Sequence, residues 1–274
     1  MCGAQQGDDP MRICVVSVDV EEDLDGEKSF RGVENLNRIL EVFERFDIEA
    51  TLFVTGEVLE KYQDLVVRWA TKHEIACHGY YHTPLYELAM SEREKQLDDF
   101  WGLCKRTLGQ EPKGFRAVQH TIDDTQLKLL EKRGFLYDSS VISNYVPLMR
   151  YVGYKGKAPA EPYSPSCRSY RDKGNMSILE IPVVPLAFGI PLTGSWIRMF
   201  GPKFYRMLLL VKKPPLLSFT MHSWDCVELT SRYSRNTGTG FVEMLSDLLG
   251  RIETSYTFVS AYRLLQGIGG HDNI

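Results

Sequence analysis

A chain of 274 residues that is 43% hydrophobic and 25% charged, with 22 Gly and 13 Pro, excludes collagen-like, low-complexity and wholly disordered architectures. With 32 Lys+Arg against 36 Asp+Glu the formal charge is −4, and no long like-charge block appears, so nucleic-acid binding has no electrostatic support. The apolar run at 207–211 falls far short of the roughly 20 residues that a membrane span needs.

The opening MCGAQQGDDP reads as a flexible leader over 1–10, with neither the basic nor the apolar segment of a secretory signal. The six cysteines show no CxxC spacing, and the two observations together predict reduced thiols in a cytoplasmic protein. RICVVSVDV (12–20) is a short β-rich run that predicts a buried strand. Val33, Leu36, Ile39, Leu40 and Phe43 then recur at helical spacing. ATLFVTG (50–56) predicts a second strand, followed by a helix through Val58, Leu59, Tyr62, Leu65, Val66 and Trp69. EIACH (74–78) is a third strand, and Ser91, with Glu94 at capping-box spacing, predicts the start of an amphipathic helix ending near Leu108. GFRAV (114–118), a helix near 123–133 and FLYDS (135–139) continue the alternation. ILEIPVV (178–184), PLLSFTM (215–221) and YTFVS (256–260) are later strands, with helical patterns near 204–211 and 240–252. Strands alternating with helices predict an α/β fold of parallel units, closed or nearly closed into a distorted (β/α) barrel. One domain over 11–265 results, with a tail over 266–274 and an irregular, proline-bearing excursion over 144–175.

In such folds chemistry gathers at the C-terminal ends of the strands. The first strand runs out as Ser17-Val18-Asp19-Val20-Glu21, which puts Asp19 and Glu21 on one face. Two carboxylates pointing together are costly unless a cation or proton separates them. The following Glu22, Asp23 and Asp25 read as a solvated acidic loop. Beyond the third strand His78 and His82 stand at i and i+4, a spacing that lets both imidazoles close on one metal such as Zn²⁺. Gly79 excludes the zincin H-E-x-x-H pattern. Later strand ends deliver Arg116, able to orient a carboxylate, then Asp138, and finally His222, able to act as a general acid. Together these are the parts of a mononuclear metal hydrolase with a separate base and acid.

The order of motifs resembles the polysaccharide deacetylase family of metal-dependent carbohydrate esterases, over roughly 11–260. SVDVEED is similar to a D-x-[DE] first motif, HEIACHGYYHT to the metal-binding H-x-x-x-H motif, and GFRAV to the Arg-containing third motif. TGSWIRM is similar to an aromatic, Arg-containing stretch, and TMHSWD to the His motif near the end. The resemblance implies a seven-stranded barrel, Asp19 as base, and Glu21, His78 and His82 as metal ligands. It further implies that Arg116 orients Asp19 and that His222 is the acid. Ala117-Val118 and Ser223 depart from the family pattern, and the longer Glu21 arm leaves Glu22 as an alternative ligand. Tyr81, Trp196, Arg198 and Trp224 are expected to line the substrate cleft.

These features point to a hydrolase that removes an N-acetyl or other acyl group from an amino sugar of a glycan or glycan precursor. Zn²⁺ is the expected cofactor, with Co²⁺, Fe²⁺ or Ni²⁺ as alternatives. Tyr145, Tyr151, Tyr154, Tyr163 and Tyr170, interspersed with Arg150, Lys155, Lys157, Arg168, Arg171 and Lys173, suit sugar stacking and a phosphorylated, nucleotide- or lipid-linked substrate. The rival readings are the same fold acting on an N-formyl group or cyclic amide, and a non-catalytic metal- or glycan-binding relative.

Overall fold

The computed structural model describes residues 12–25, 28–144 and 157–269. The expected leader, the end of the tail, and Tyr145, Arg150, Tyr151, Tyr154 and Lys155 of the excursion lie outside the described residues.

The strands are β1 (Ile13–Val20), β2 (Thr51–Val54), β3 (Glu74–Cys77), β4 (Gly114–Phe115), β5 (Tyr137–Asp138), β6 (Pro165–Ser166), β7 (Ser169–Lys173), β8 (Leu179–Glu180), β9 (Leu192–Thr193), β10 (Leu216–His222) and β11 (Thr257–Val259). Nine of them form one parallel sheet in the order β8-β5-β4-β3-β2-β1-β10-β9, with β11 pairing the first half of β1. The sheet curls into a half-barrel, as the β/α alternation predicts, and the short β9 and β11 bring the strand count above seven. Across its open side Ser218 Oγ donates to the Pro182 carbonyl at 3.0 Å and accepts from the Val184 amide at 3.1 Å. β1 is central, pairing with β2 and β10, and its Val-rich run is buried on both faces, as a helix-covered parallel strand must be.

Between the strands run α1 (Arg31–Glu34), α2 (Asn37–Arg45), α3 (Gly56–Lys61), α4 (Gln63–Trp69), α5 (Met90–Leu108), α6 (Asp124–Arg133), α7 (Gly194–Phe200), α8 (Pro202–Val211), α9 (Thr239–Ile252) and α10 (Ala261–Gly269). Strand alternation divides the core. Cys14, Val16, Leu52 and Val54 pack in the large core with the helices, whereas Val15, Phe53, Ala76 and Tyr137 join Ala261 and Leu264 of α10 in a small apolar plug. Ser17 and Asp19 continue the Val15 face of β1, so the polar end of that face stands above the plug.

Three local expectations are corrected. Ser91 does not cap α5: the extended Ala89 is the N-cap, and Ser91 falls inside the first turn. The chain has already been tied down before it, because buried Arg93 donates back to the Tyr86 and Leu88 carbonyls and pairs with Asp123 at 2.8 Å. The acidic loop is not solvated. Asp23 is buried and accepts from Ser29 Oγ and from the Arg31 and Gly32 amides at the start of α1, while Asp25 accepts from the Thr230 and Ser231 amides. The described part of the excursion is an antiparallel β6–β7 hairpin rather than loose loop, and Tyr163 is buried beneath it, its hydroxyl donating to the Tyr170 carbonyl at 2.6 Å.

His73, buried between α4 and β3, accepts a hydrogen bond from the Ala50 amide through Nδ1. Burial, reinforced by Lys72, pushes its pKa down to about 4. The unfolded chain binds this proton below about pH 6.5 and the folded chain does not, so stability is complete above that pH and is lost as pH falls towards 4. Urea unfolding should show up to about 2 kcal/mol lost through this group between pH 7 and 5. His73→Asn keeps an acceptor but cannot titrate, so it should lose that much less; an equal loss in both proteins would remove His73 as the cause.

Candidate metal centre and active-site cavity

Sheet register explains why the polar residues meet. Asp19 of β1 pairs with His222 of β10 on one side and with Phe53 of β2 on the other. Glu21 lies one residue beyond β1, His78 one beyond β3 and Arg116 one beyond β4, so side chains distant in sequence gather at one rim. Gly79, at φ +80, turns the chain sharply after His78, a conformation that costs glycine little, and His82 returns to the same point.

Glu21 Oε2 lies 3.1 Å from His78 Nε2 and 2.8 Å from His82 Nε2. These three groups are the ones among the described residues whose ligand atoms cluster as a metal site would require, all within 4.8 Å. Glu22 approaches the opposite nitrogen of His82 at 3.8 Å and is more exposed. The His78 tautomer is set by its surroundings: its Nδ1 stands 2.8 Å from the Arg116 carbonyl, an acceptor, so Nδ1 carries the proton. In the Nδ1–H tautomer, Nε2 turns its lone pair to a carboxylate oxygen. Such a lone pair cannot sit against an oxyanion without a positive charge between them, and a divalent cation with N and O ligands fits this donor set. Burial works against the Glu21 carboxylate, yet the two histidines hold its pKa well below the usual range. Burial likewise disfavours His82 imidazolium, but Glu21 more than offsets this and raises its pKa.

The other Glu21 oxygen is fixed by Trp224, whose Nε1–H donates to Oε1 at 3.0 Å. Asp19 is held by Arg116 Nη1 at 2.8 Å. The same nitrogen reaches Ser17 Oγ, Nε and Nη2 bond Ser139, and the guanidinium lies 4.0 Å from the Phe53 ring centroid. Burial would raise the Asp19 pKa, but Arg116 and then His78 outweigh it, so Asp19 stays a carboxylate. His222 stacks on the Trp224 ring at 4.3 Å and its Nδ1 lies 3.7 Å from Asp225. Burial opposes its charge, yet Asp225 and Glu21 push the pKa up to about 9 and favour the protonated ring.

Asp19, Glu21, His78, His82 and His222 open on a cavity of about 430 Å³. The expected substrate residues fare differently. Trp196 lines the cavity, half-buried. Trp224 and Arg198 reach its wall but are buried and already engaged, Trp224 with Glu21 and Arg198 with Asp225 at 2.8 Å and the Tyr233 and Arg235 carbonyls. Arg198 thus holds the 233–235 loop rather than offering a free guanidinium. Tyr81 does not line the cavity; it packs edge-on against Tyr80, and its amide donates to Gln96. None of the described residues of the excursion lines it either; its cationic wall carries Arg232 and Arg235 instead. Asp138 is likewise outside, buried with Glu180 and bonded to Ser140, and burial raises the pKa of both carboxyls.

Sequence reasoning missed Asp225, three positions after His222 and legible only as part of HSWD. It also missed Gln119 and His120, which line the cavity from a turn with φ of 55 and 56. Burial and the nearby Arg116 lower the His120 pKa to about 3, so the ring there is neutral.

Residues 24–137 match the family model described as polysaccharide deacetylase. The chain is 29% identical over 160 residues to a peptidoglycan deacetylase-like protein of Gibberella zeae, covering 56% of this chain and 47% of that one. It is 29% identical over 126 residues to a peptidoglycan deacetylase of Helicobacter pylori, covering 45% and 43%. The matched region thus spans about half the length of these curated relatives. Among solved structures, one from Mycobacterium smegmatis assigned to the polysaccharide deacetylases shares 18% identity at a TM-score of 0.65, covering 95% of this chain and 92% of that one. An allantoinase shares 16% at 0.64, covering 94% and 91%, and a CE4 family pseudoenzyme from Bacillus anthracis 14% at 0.58, covering 93% and 66%. At these identities the likeness is one of fold.

Removing the donor to Glu21 tests the metal-site reading. Trp224→Phe keeps the ring beneath His222 but frees Oε1, and should weaken Zn²⁺ binding by about 10–100-fold in a competitive chelator titration. Unchanged affinity would mean that Trp224 does not orient this carboxylate.

Proposed function

The chain belongs to the polysaccharide deacetylase family, and from that premise we propose that it is a metal-dependent hydrolase that removes an N-acetyl group from an amino sugar. The observation that carries this reading is the meeting of Glu21, His78 and His82 beside both Asp19 and His222 in one cavity. Glu21, His78 and His82 would hold the divalent ion, with Zn²⁺ the first choice and Co²⁺, Fe²⁺ or Ni²⁺ as alternatives. The ion's contribution when bound is to polarise an acyl carbonyl and lower the pKa of water.

The protein's own groups divide the proton work. Asp19, kept ionised and aimed by Arg116, accepts the proton of the attacking water. His222, which Asp225 and the carboxylates favour in its protonated form, donates to the departing amine. Without that donation the tetrahedral adduct would expel water more readily than an amine anion. Trp196 offers an aromatic face to a sugar ring, and Arg232 and Arg235 favour an anionic glycan precursor, phosphorylated or nucleotide- or lipid-linked, over a neutral polymer. We place the protein in the cytoplasm, a reading supported by five free cysteines among the described residues, four of them buried.

Acetate release from N-acetylated sugars by metal-loaded protein tests the reading. Asp19→Asn should retain metal and lose about 100- to 10,000-fold in kcat. His222→Ala should lose as much on an alkyl amide but far less on a substrate with a good leaving group, because the acid matters only when the leaving group needs a proton. Equal losses on both would remove His222 as the acid. Formate release or opening of a cyclic amide would reassign the bond cleaved, and metal binding without turnover would make the chain a binding relative.

A further inference from the structure

The stretch between β8 and the 223–226 turn has an unusual surface. From residue 181 to 224 the sequence holds no Asp or Glu, but five Lys or Arg. Within it the structure leaves Phe188, Met199, Phe200, Met207, Leu210 and Val211 exposed, with Leu210 at 84%, Phe188 at 75% and Val211 at 61%. These are six of the eleven large hydrophobic side chains that stand exposed among the described residues, and they belong to segments that touch one another: the turn at 187–189 and α7 both pack on α8. Met207, Leu210 and Val211 fall at helical spacing on the outer face of α8. Phe200 joins the α7 and α8 parts, its ring packing at a tilt against Trp196 at 5.5 Å and Phe204 at 4.8 Å between centroids. An apolar surface of this extent on a single chain marks something that binds there.

Its charge says what. Lys203 stands exposed at the start of α8 and Lys212 and Lys213 just past its end, so the apolar face is bracketed by cations. Beside Leu210 a groove of about 570 Å³ between α8 and α9 carries Arg206, Lys213 and Arg251 around Asp247. A second copy of this chain would bring an equally cationic face against this one, and like charge would oppose the contact. A short helix with a bare apolar face and a cationic rim fits a surface lying in the plane of an anionic bilayer, with side chains in the acyl boundary and lysines at the phosphates. No helix among the described residues is long and apolar enough to cross a membrane, so the contact would be peripheral.

We propose that the outer face of α7 and α8, with Phe188, docks on an anionic lipid surface. Trp196 and Met199 of α7 line the candidate active-site cavity, so docking brings its mouth to the membrane interface. The binding needs no turnover and stands or falls separately from the deacetylase reading.

Co-sedimentation of the full chain with vesicles tests it. The protein should pellet with phosphatidylcholine vesicles containing about one-third phosphatidylglycerol, should pellet much less with phosphatidylcholine alone, and should be released by salt. Lys212→Ala with Lys213→Ala should weaken the partition at least about tenfold, since each cation near such a surface contributes roughly a factor of five. Leu210→Glu with Val211→Glu should abolish it, whereas Val67→Glu, on α4, should not. Circular dichroism and Zn²⁺ affinity, unchanged in each variant, would show that the fold persists. Failure to pellet with either vesicle, or pelleting that survives both double variants, overturns the proposal. So does a dimer that the Leu210 and Val211 substitutions convert to monomer without any vesicle binding, for the face would then serve self-association.

Discussion

Two imidazole nitrogens approach one buried carboxylate oxygen, Glu21 Oε2, within 3.1 Å, and His78, its Nδ1–H spent on the Arg116 carbonyl, turns a lone pair to it. Such an arrangement repels itself unless positive charge is present, and the surrounding structure prevents it from relaxing. His78 cannot rotate without losing the Arg116 carbonyl, and Glu21 cannot swing away without losing Trp224. The fold thus holds in place a cluster that would separate in water, and a cation relieves the repulsion. This is the arrangement expected of a metal centre whose ligands are oriented by a second layer of hydrogen bonds.

That second layer also joins elements far apart in the chain. Arg116, at the end of β4, touches β1 through Ser17 and Asp19, β2 through the Phe53 ring and the end of β5 through Ser139, so four strands are coupled around one guanidinium. Removing either partner of a buried ion pair such as Arg116–Asp19 typically costs about 3–5 kcal/mol, because the other charge is left without compensation. On the opposite wall Asp225 links the His222 amide to Arg198, and Arg198 in turn fixes the 233–235 loop. The approach of α7 to this aspartate demands glycine, since a Cβ at Gly194 would lie 2.1 Å from Asp225 Oδ2. The Glu21–His78–His82 cluster, Asp19 and His222 are therefore parts of one packed network.

The barrel and the polar rim were legible in the sequence because both follow from strand periodicity. β1, β2, β3 and β10 are largely apolar runs, Asp19, Glu21, His78 and His222 fall where β1, β3 and β10 end, and Arg116 follows the short β4. What could not be read was partnership across long sequence distances. Trp224 and Arg198 looked like cleft residues from their chemistry, but their polar groups are consumed by Glu21 and Asp225, pairings set by how α7 and the 223–226 turn pack. Asp23 looked solvated because no local pattern announces that α1 begins against it. His120 escaped notice because a single histidine after a short strand has no period, and its turn rests on two residues of positive φ that carry no glycine.

The central claim is that Glu21, His78 and His82 together hold one divalent ion beside Asp19. Anomalous diffraction from Zn²⁺-loaded crystals, recorded on both sides of the zinc absorption edge, tests it most directly. A single anomalous peak is expected within about 2.0–2.2 Å of Glu21 Oε2, His78 Nε2 and His82 Nε2, with Arg116 still on Asp19. A peak bound instead by Glu22, or one that draws Asp19 away from Arg116 as the carboxylate ligand, would contradict it.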